Sequence, residues 1–337
     1  MQLGGPGFDI VEKARDAIVR HRMFEKGDTI VVALSGGPDS SCLLDVLDRL
    51  TDTFELDLAV AHVDHGLAEG SADVSAGVTT RAAESGHDVH FVRAPDLEGP
   101  NLQARARNFR YGFLETIAEN VGASGIATGH TLDDRIETTL ARLLHGAGTR
   151  GVAGLLPVDG NRVRPLATVR RSEARAYCVE RDIEFVDDPA NEDDRFERVA
   201  IRKRLIPVIE ERWGRGAVDA IATSSERLLE DAVTLDGLAD TLFIQLSKRI
   251  EAGIQFERAA LNGVPRAFRR RLLERSVGRV RDRSAGIDEV LDALDKSVSS
   301  SGSFSIAGGG EIALSPEAVL VRPPSDGVSE GPTTIDR

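Results

Sequence analysis

The chain has 337 residues, a formal net charge of −13 and 41% hydrophobic residues. This length predicts more than one globular domain, and the acidic balance argues against indiscriminate nucleic-acid binding, because a phosphate backbone attracts an excess of Lys and Arg. Two cysteines without a Cys-x-x-Cys pair argue against a disulfide framework, a zinc site or an iron–sulfur cluster. The apolar runs are too short for a membrane span and the N-terminal pattern is not that of a signal peptide, so we expect a cytoplasmic protein.

Short apolar segments alternate with amphipathic ones from residue 29 onwards. "TIVVAL", "DLAVAHV", "DVHFVRA" and "GIATGH" predict strands, and the longer segments between them predict helices. Because these connections are too long for hairpins, the pattern predicts an α/β fold with a parallel sheet covered by helices. Ligands of such sheets bind at the carboxyl ends of the strands. The polar clusters "SGGPDS", "HVDHG" and "GHTLDD" each follow a strand, so we expect them to converge there.

The pattern changes after Trp213. Residues 215–297 show helical periodicity without a convincing strand, and residues 301–321 alternate like a small hairpin. We therefore expect a catalytic domain at 1–212, a smaller, mainly helical domain at 213–322 and a disordered tail at 323–337. Arginines concentrate in three segments, which are either solvated helix faces or contacts for a phosphate backbone: 162–175, 202–204 and 266–283.

The turn "SGGPDS", residues 35–40, joins a strand to a helix. Gly36 and Gly37 let the backbone approach a ligand closely, and the helix N-terminus that follows favours an anion such as a phosphate group. The segment lacks the Gly-Lys-Ser/Thr ending and the third glycine of the two familiar nucleotide loops. The alternative is a tight turn in which Asp39 or Ser40 caps the helix.

A second polar cluster lies in "GHTLDDRIET". On a helix that begins near Thr131, the spacing places His130, Asp134 and Glu137 on one face. Such a set suits either a magnesium ion beside phosphates or an ammonium substrate. The alternative is a capping box of Thr131 and Asp134, which leaves the other acidic residues unexplained. In "HVDHG", a nucleotide-pocket wall is favoured for His62 over a metal ligand. The alternative is that His62 is a hydrogen-bonded core residue.

"SGGPDS" after an apolar strand resembles the pyrophosphate loop of the N-type ATP pyrophosphatases, the PP-loop superfamily. Further segments resemble the tRNA(Ile)-lysidine synthetases, in order over roughly residues 29–210: "HVDHGL", "ARARNFRYGFL", "GHTLDDRIETTLARLLHGAG", "RPL" and "DDPANEDDRFERVAIRKRLIP". The resemblance implies a PP-loop catalytic domain that adenylates the C2 carbonyl of the wobble cytidine in an isoleucine tRNA. The ε-amino group of free L-lysine then attacks, which yields lysidine, AMP and pyrophosphate.

The resemblance also implies roles for individual residues. The catalytic residues it implies are Asp39, Asp134, Glu137 and Arg202, with Arg202 reaching the adenylate or the phosphates. The ATP site it implies comprises Ser35, Gly36, Gly37, Pro38, Asp39, Ser40, His62 and Gly129. Lysine would bind at His130, Asp134 and Glu137, and Mg²⁺ at Asp39 and Asp133. We hypothesise that Asp134 or Glu137 accepts the proton that lysine must lose before it attacks.

The implied partners are isoleucine tRNA and free lysine, without a membrane and with a homodimer left open. The arginine-rich segment 266–283 is the predicted tRNA contact. Two alternatives remain. One is another PP-loop tRNA-modifying enzyme, a thiolase, although those that thiolate cytidine typically carry Cys-x-x-Cys pairs that this chain lacks. The other is a catalytically inactive nucleotide- or RNA-binding protein, which would not require so many carboxylates beside phosphates.

Overall fold

The computed structural model describes residues 7–66, 70–95, 102–187, 195–277, 286–297, 301–306 and 309–322. The chain divides into two compact units, Met1–Leu229 and Glu230–Arg337, so the division lies beyond the predicted boundary at residue 212. The tail predicted to be disordered, 323–337, lies outside the described residues. Within the described ranges, no helix combines the length and the apolar character needed to cross a membrane.

The first unit alternates strands and helices, as the sequence predicts. Its strands are β1 (Thr29–Ala33), β2 (Asp57–Asp64), β3 (Asp88–Arg93), β4 (Gly125–Thr128), β5 (Val158–Asp159) and β6 (Arg162–Val163). Its helices are α1 (Phe8–His21), α2 (Pro38–Phe54), α3 (Ser71–Glu84), α4 (Leu102–Val121), α5 (Leu132–Leu144), α6 (Thr149–Val152), α7 (Arg171–Glu180), α8 (Glu197–Ala200) and α9 (Ile206–Trp213). Helix α10 (Arg215–Leu246) begins in this unit and ends in the next.

The six strands form one sheet in the order β3-β2-β1-β4-β6-β5. All neighbouring pairs are parallel except β5 with β6. Strand β1 is central, and Ile30 is in register with Leu58 of β2 on one side and with Gly125 of β4 on the other. The prediction of a parallel sheet is therefore confirmed. Because the strand order reverses between β1 and β4, the crevice at their carboxyl ends is where such a fold binds its ligand.

Helices cover both faces of the sheet, and alternate residues of β1 point to opposite sides. Ile30 and Val32 pack against α1, α2 and α7, whereas Val31 packs against α4. The two cysteines, Cys42 and Cys178, lie fully buried in the first of these cores. Their expected role as small apolar core residues is confirmed.

The second unit contains an antiparallel five-stranded sheet in the order β7-β8-β11-β10-β9. Its strands are β7 (Ser247–Ile250), β8 (Gly253–Glu257), β9 (Gly302–Ile306), β10 (Gly310–Leu314) and β11 (Ala318–Arg322), and its helices are α11 (Arg258–Asn262), α12 (Arg266–Ser276) and α13 (Ile287–Lys296). The expectation of no strand in 215–297 was wrong. Strand β8 pairs with β11, some sixty residues later in the chain, for example Ile254 with Val321, so the local pattern of β8 did not reveal it.

The end of β4 touches the start of α2 through backbone atoms. A Cβ atom at Gly129 would lie 2.9 Å from the carbonyl carbon and oxygen of Asp39 and from the amide nitrogen of Ser40. Real Cβ atoms do not approach backbone so closely, and neither element can yield alone because each continues into the packed core. Gly129 therefore sets the distance between β4 and the N-terminus of α2.

We predict opposite effects of Gly→Ala at two positions. Gly129→Ala should destabilise the protein by about 1 to 3 kcal/mol, because the new methyl group overlaps backbone that cannot move freely. Gly112→Ala, in α4, should raise the melting temperature, because its Cβ meets open space and alanine favours a helix by about 1 kcal/mol. Thermal melting of both variants checks this, and a Gly129→Ala protein as stable as Gly112→Ala would contradict the assigned contact.

Candidate active site

The loop between β1 and α2 has the geometry of an anion site. Gly36 adopts a φ of 84°, in the left-handed region that favours glycine, and a Cβ atom there would lie 2.6 Å from Cγ2 of Val78. The Ser40 hydroxyl accepts the amide of Ser35 at 3.1 Å and donates to the carbonyl of Gly37 at 3.0 Å. Gly37 is the N-cap of α2, without a side-chain cap. Asp39 is therefore not the cap that the alternative interpretation required.

Asp39 stands in the first turn of α2, with one oxygen paired and the other not. Oδ2 lies 3.5 Å from Nε of Arg171, whereas Oδ1 is buried without a hydrogen-bond partner among the described residues. Burial, and then the nearby charge of Asp134, raise the pKa of Asp39 to about 7. A buried carboxylate oxygen without a partner fits a hard cation such as Mg²⁺. No group of three His, Cys, Asp or Glu side chains forms a protein-only metal site within the described ranges.

Asp133, the second predicted metal ligand, is already engaged. Its Oδ2 accepts the backbone N–H of Arg171 at 2.7 Å, and its Oδ1 accepts Nη1 of Arg170 at 3.2 Å. Asp133 thereby binds the N-terminus of α7, where an anion is stabilised by the helix dipole. Both oxygens have partners, so metal binding by Asp133 stays a prediction and would have to share the carboxylate with these contacts.

Asp134 combines a capping role with two ion pairs. Its Oδ2 accepts the amide of Thr131 at 2.8 Å and the Thr131 hydroxyl at 2.9 Å, so the predicted cap is present. Its Oδ1 accepts Nη2 of Arg171 at 3.2 Å and Nη2 of Arg198 at 2.8 Å. Burial alone would raise the pKa of Asp134, but the charges of Arg171 and Arg198 and the Thr131 N–H hold it far below its usual range. Asp134 therefore stays ionised.

Glu137 is fully buried and bound by three arginines. Its Oε1 accepts Nη1 of Arg171 at 3.0 Å and Nε of Arg202 at 2.7 Å. Its Oε2 accepts Nη2 of Arg198 at 3.1 Å and Nη2 of Arg202 at 3.2 Å. Arg202 projects from a π-helical turn, Ile201–Leu205, a type of turn frequent at functional sites. A carboxylate offers about four lone-pair positions, and the protein itself fills four in Glu137.

Arg171 connects all the predicted acidic residues and was missed at the sequence level. Its side chain pairs with Asp39, Asp134 and Glu137, and its backbone N–H binds Asp133. These partners raise the already high pKa of Arg171 further, against the opposing effect of burial. One signal could have found it: Arg170 and Arg171 open a helix, where positive charge is unfavourable unless acidic groups lie nearby.

The two histidines of the prediction have different surroundings. Nδ1 of His62 donates to the carbonyl of Leu34 at 2.7 Å, and Nε2 accepts the Ser75 hydroxyl at 2.9 Å. Neither ring nitrogen of His62 is left for a hydrogen bond to a nucleotide, so its place in the ATP site stays a prediction that rests on contacts of the ring alone. His130 hydrogen-bonds Thr128 at 2.8 Å, and burial, with nearby arginines, lowers its pKa to about 3. His130 is therefore neutral at physiological pH.

The arginines of the predicted tRNA contact, 266–283, are held in ion pairs within the second unit where they are described. The pairs are Arg266 with Asp292 and Asp295, Arg269 with Asp295, Arg270 with Asp288, Arg271 with Asp236, and Arg275 with Asp240. Residues 278–283 lie outside the described ranges. The sequence segment is strongly basic, but neighbouring aspartates neutralise much of its charge. A tRNA contact at this surface stays a prediction and would compete with these pairs.

We predict that Arg171→Gln destabilises the first unit by about 3 kcal/mol, because it removes a cation shared by three partly or fully buried carboxylates. Arg175→Gln is the matched control on the same helix, since Arg175 pairs with Asp187 while both side chains are largely exposed, and it should change little. Urea unfolding followed by far-ultraviolet circular dichroism checks both. Equal midpoints for the two variants would contradict the central role of Arg171.

We predict that Asp39→Asn stabilises the protein most at alkaline pH. The pKa of Asp39 is about 7 when folded, against an ordinary value of 3.8. Between these values the folded protein holds a proton that the unfolded chain has lost, so the contribution of Asp39 to stability falls as the pH rises from about 4 to about 7. The neutral amide escapes this cost of at most about 4 kcal/mol.

Melting temperatures at pH 8 and pH 5, without divalent cations, measure the effect. The gain from Asp39→Asn should be large at pH 8 and smaller at pH 5. Asp52→Asn, at an exposed position of α2, is the control for the loss of one negative charge from the same helix. A gain that grows towards pH 5 would contradict the raised pKa.

Comparisons with known proteins agree with this geometry. Residues 10–209 match the PP-loop domain family. The chain is 32% identical to the tRNA(Ile)-lysidine synthase of Caldanaerobacter subterraneus subsp. tengcongensis, over 87% of this chain and 65% of that protein. It is 38% identical to the tRNA(Ile)-lysidine synthase of Mycolicibacterium paratuberculosis, over 72% of each. The chain thus spans about two thirds of the length of these relatives.

A solved structure shows the same fold at lower identity. The U34-tRNA thiolase NcsA from Methanococcus maripaludis, with its [4Fe-4S] cluster, superposes with a TM-score of 0.56 at 17% identity, over 66% of this chain and 78% of that chain. At such identity the likeness concerns the fold alone. The sequence match over residues 10–209 and the relatives above 30% identity are more specific. The chain therefore belongs to the PP-loop family and, within it, to the family of the tRNA(Ile)-lysidine synthases.

Proposed function

We propose that this chain catalyses ATP-dependent ligation of L-lysine to C2 of the wobble cytidine of an isoleucine tRNA with a CAU anticodon, through an adenylated intermediate. The observation that carries the proposal is the convergence of the Ser35–Ser40 loop and the Asp134–Glu137 cluster at the switch point of the sheet. One half of this site suits a pyrophosphate group and the other is built from paired charges. The relatives named tRNA(Ile)-lysidine synthase support the same activity.

In this proposal the protein positions the ATP phosphates with three kinds of group. The backbone of Gly36 and Gly37 and the N-terminus of α2 receive the pyrophosphate portion. Asp39 holds Mg²⁺, which when bound neutralises phosphate charge. Arg202, oriented by its two hydrogen bonds to Glu137, presents a planar cation to the oxygens of the adenylate.

Lysine binding at His130, Asp134 and Glu137 carries a condition. Asp134 and Glu137 each already accept four hydrogen bonds from the protein, so a lysine ammonium has to replace at least one guanidinium contact. Arg171 and Arg198 are the candidates for replacement, because each divides its contacts of 2.8 to 3.2 Å between these two carboxylates. His130, being neutral, adds no repulsion against the ammonium.

The proton of the ammonium group must leave before the amine attacks. Asp134 is a poor acceptor, because its pKa lies far below the usual range of a carboxyl group. Glu137 accepts four hydrogen bonds from arginines, so in this proposal it takes the proton only after lysine has replaced a guanidinium beside it.

A thiolase activity is less well supported. The thiolase with the similar fold carries a [4Fe-4S] cluster, and such clusters are held by cysteine thiolates. This chain has two cysteines, both fully buried in the core. An inactive binding protein is also disfavoured, because a buried carboxylate such as Asp39 with a strongly raised pKa costs stability that a mere binder has no reason to keep.

The test is a reconstituted reaction with the full chain, ATP, Mg²⁺, L-lysine and an unmodified isoleucine tRNA transcript with a CAU anticodon. AMP and pyrophosphate should accumulate only when both lysine and this tRNA are present. Mass spectrometry of the digested tRNA should then show cytidine increased by the mass of lysine less one water. The matched control is the same transcript with cytidine replaced by uridine at the wobble position. Sulfur incorporation, or an unchanged tRNA, would refute the proposal.

A further inference from the structure

A cluster of arginines surrounds one buried tyrosine on the α4 side of the sheet. Tyr111 is only 6% exposed. The guanidinium carbon of Arg162 lies 4.1 Å from the centre of its ring, that of Arg107 lies at 4.9 Å and that of Arg110 at 5.2 Å. Arg164, 3% exposed, completes what we call the Tyr111 cluster: Arg107, Arg110, Tyr111, Arg162 and Arg164.

The sheet places this cluster beside the candidate active site. Ala127 of β4 is in register with Val163 of β6, so Arg164 follows β6 where Thr128 ends β4. Thr128 in turn hydrogen-bonds both the carbonyl of Val163 and the ring of His130. The cluster and His130 therefore share the carboxyl edge of the sheet, on the side of β4 away from the Ser35–Ser40 loop.

Like charges brought this close raise the energy of the folded protein. Cation–π contacts with one ring offset only about 1 kcal/mol each, and Glu115 pairs with Arg162 at the rim. Two polar atoms in the cluster also lack partners among the described residues: the hydroxyl of Tyr111 and Nε of Arg164. The arginines lower the pKa of Tyr111 even though burial opposes this, as expected where the potential is positive. The cluster thus has the charge and the unused donors of an anion site.

We propose that the Tyr111 cluster binds a phosphate group of a substrate held at the neighbouring active site. Guanidinium groups bind phosphate oxygens through paired N–H donors, and the Tyr111 hydroxyl and Arg164 Nε add two donors that now have no acceptor. The phosphate belongs either to the RNA backbone next to the cytidine or to ATP. The identity of the substrate in this inference rests on the proposed function, whereas the affinity of the cluster for a phosphate group does not.

The test compares two variants of α4: Arg107→Gln, which removes a positive charge, and Glu115→Gln, which removes a negative charge. Binding of the CAU isoleucine tRNA transcript is measured by filter retention over a series of KCl concentrations, and binding of ATP by calorimetry. Neither measurement requires turnover. If the phosphate is that of the RNA, Arg107→Gln should weaken tRNA binding roughly tenfold and reduce the slope of log K against log salt by about 0.7. ATP binding should then be unchanged.

If the phosphate is that of ATP, Arg107→Gln should weaken ATP binding and leave the salt slope for tRNA unchanged. Glu115→Gln should slightly strengthen binding of whichever ligand carries that phosphate, because it removes an opposing charge without removing any member of the cluster. If Arg107→Gln unfolds below the assay temperature, the same binding measurements on Arg162→Gln and Glu115→Gln distinguish the two sources of the phosphate. Unchanged binding of both ligands in all folded variants overturns the inference. Phosphate binding without lysidine formation would instead refute the proposed function alone.

Discussion

The guanidinium of Arg171 lies between carboxylates contributed by α2 and α5, and its backbone N–H, at the start of α7, binds a further carboxylate of α5, that of Asp133. Without this cation, Asp39, Asp134 and Glu137 would repel one another in a crevice with little water. Charged groups removed from water are tolerated only when oppositely charged partners with good geometry surround them. Arg171 meets that requirement for carboxylates of two helices, α2 and α5, so the two halves of the crevice depend on one residue.

The same groups serve both folding and the proposed chemistry. Asp134 caps the N-terminus of α5 by accepting the backbone N–H of Thr131, and it also binds the guanidinium group of Arg198. The choice between a helix cap and a site residue, which the sequence leaves open, is therefore not exclusive. For Asp39, folding and the proposed chemistry are opposed. Its buried oxygen without a partner reduces the stability of the folded protein when the carboxyl group is ionised. Such a cost at a ligand site is common, since binding groups are arranged for the ligand rather than for the folded chain alone.

Features encoded locally were predictable from the sequence. The four long parallel strands follow from short apolar runs, and the loop at Gly36 and the cluster at Asp134 converge because each directly follows such a strand. Features that depend on distant pairing were not. Strand β8 acquires its partner from the end of the described chain, and the role of Arg171 depends on acidic groups more than thirty residues away.

For individual side chains too, the sequence does not reveal which partners they have in the folded protein. His62 has the sequence surroundings of a ligand, yet Leu34 and Ser75 satisfy both of its ring nitrogens. The basic segment beginning at Arg266 suggests a nucleic-acid surface, but its charge is compensated by aspartates on α10 and α13. A count of charges along the sequence cannot anticipate such pairing, because net local charge is a property of the folded surface.

The contact at Gly129 has a further consequence for how this site can diversify. Backbone atoms alone separate the end of β4 from the start of α2, so no side chain exists there whose size could be varied. The span between the Ser35–Ser40 loop and the carboxylates at the start of α5 is consequently fixed by main-chain geometry. In the proposed reaction, a shorter or longer amine would therefore have to be accommodated by side chains around the far end of the substrate, because the spacing of the reacting ends does not change.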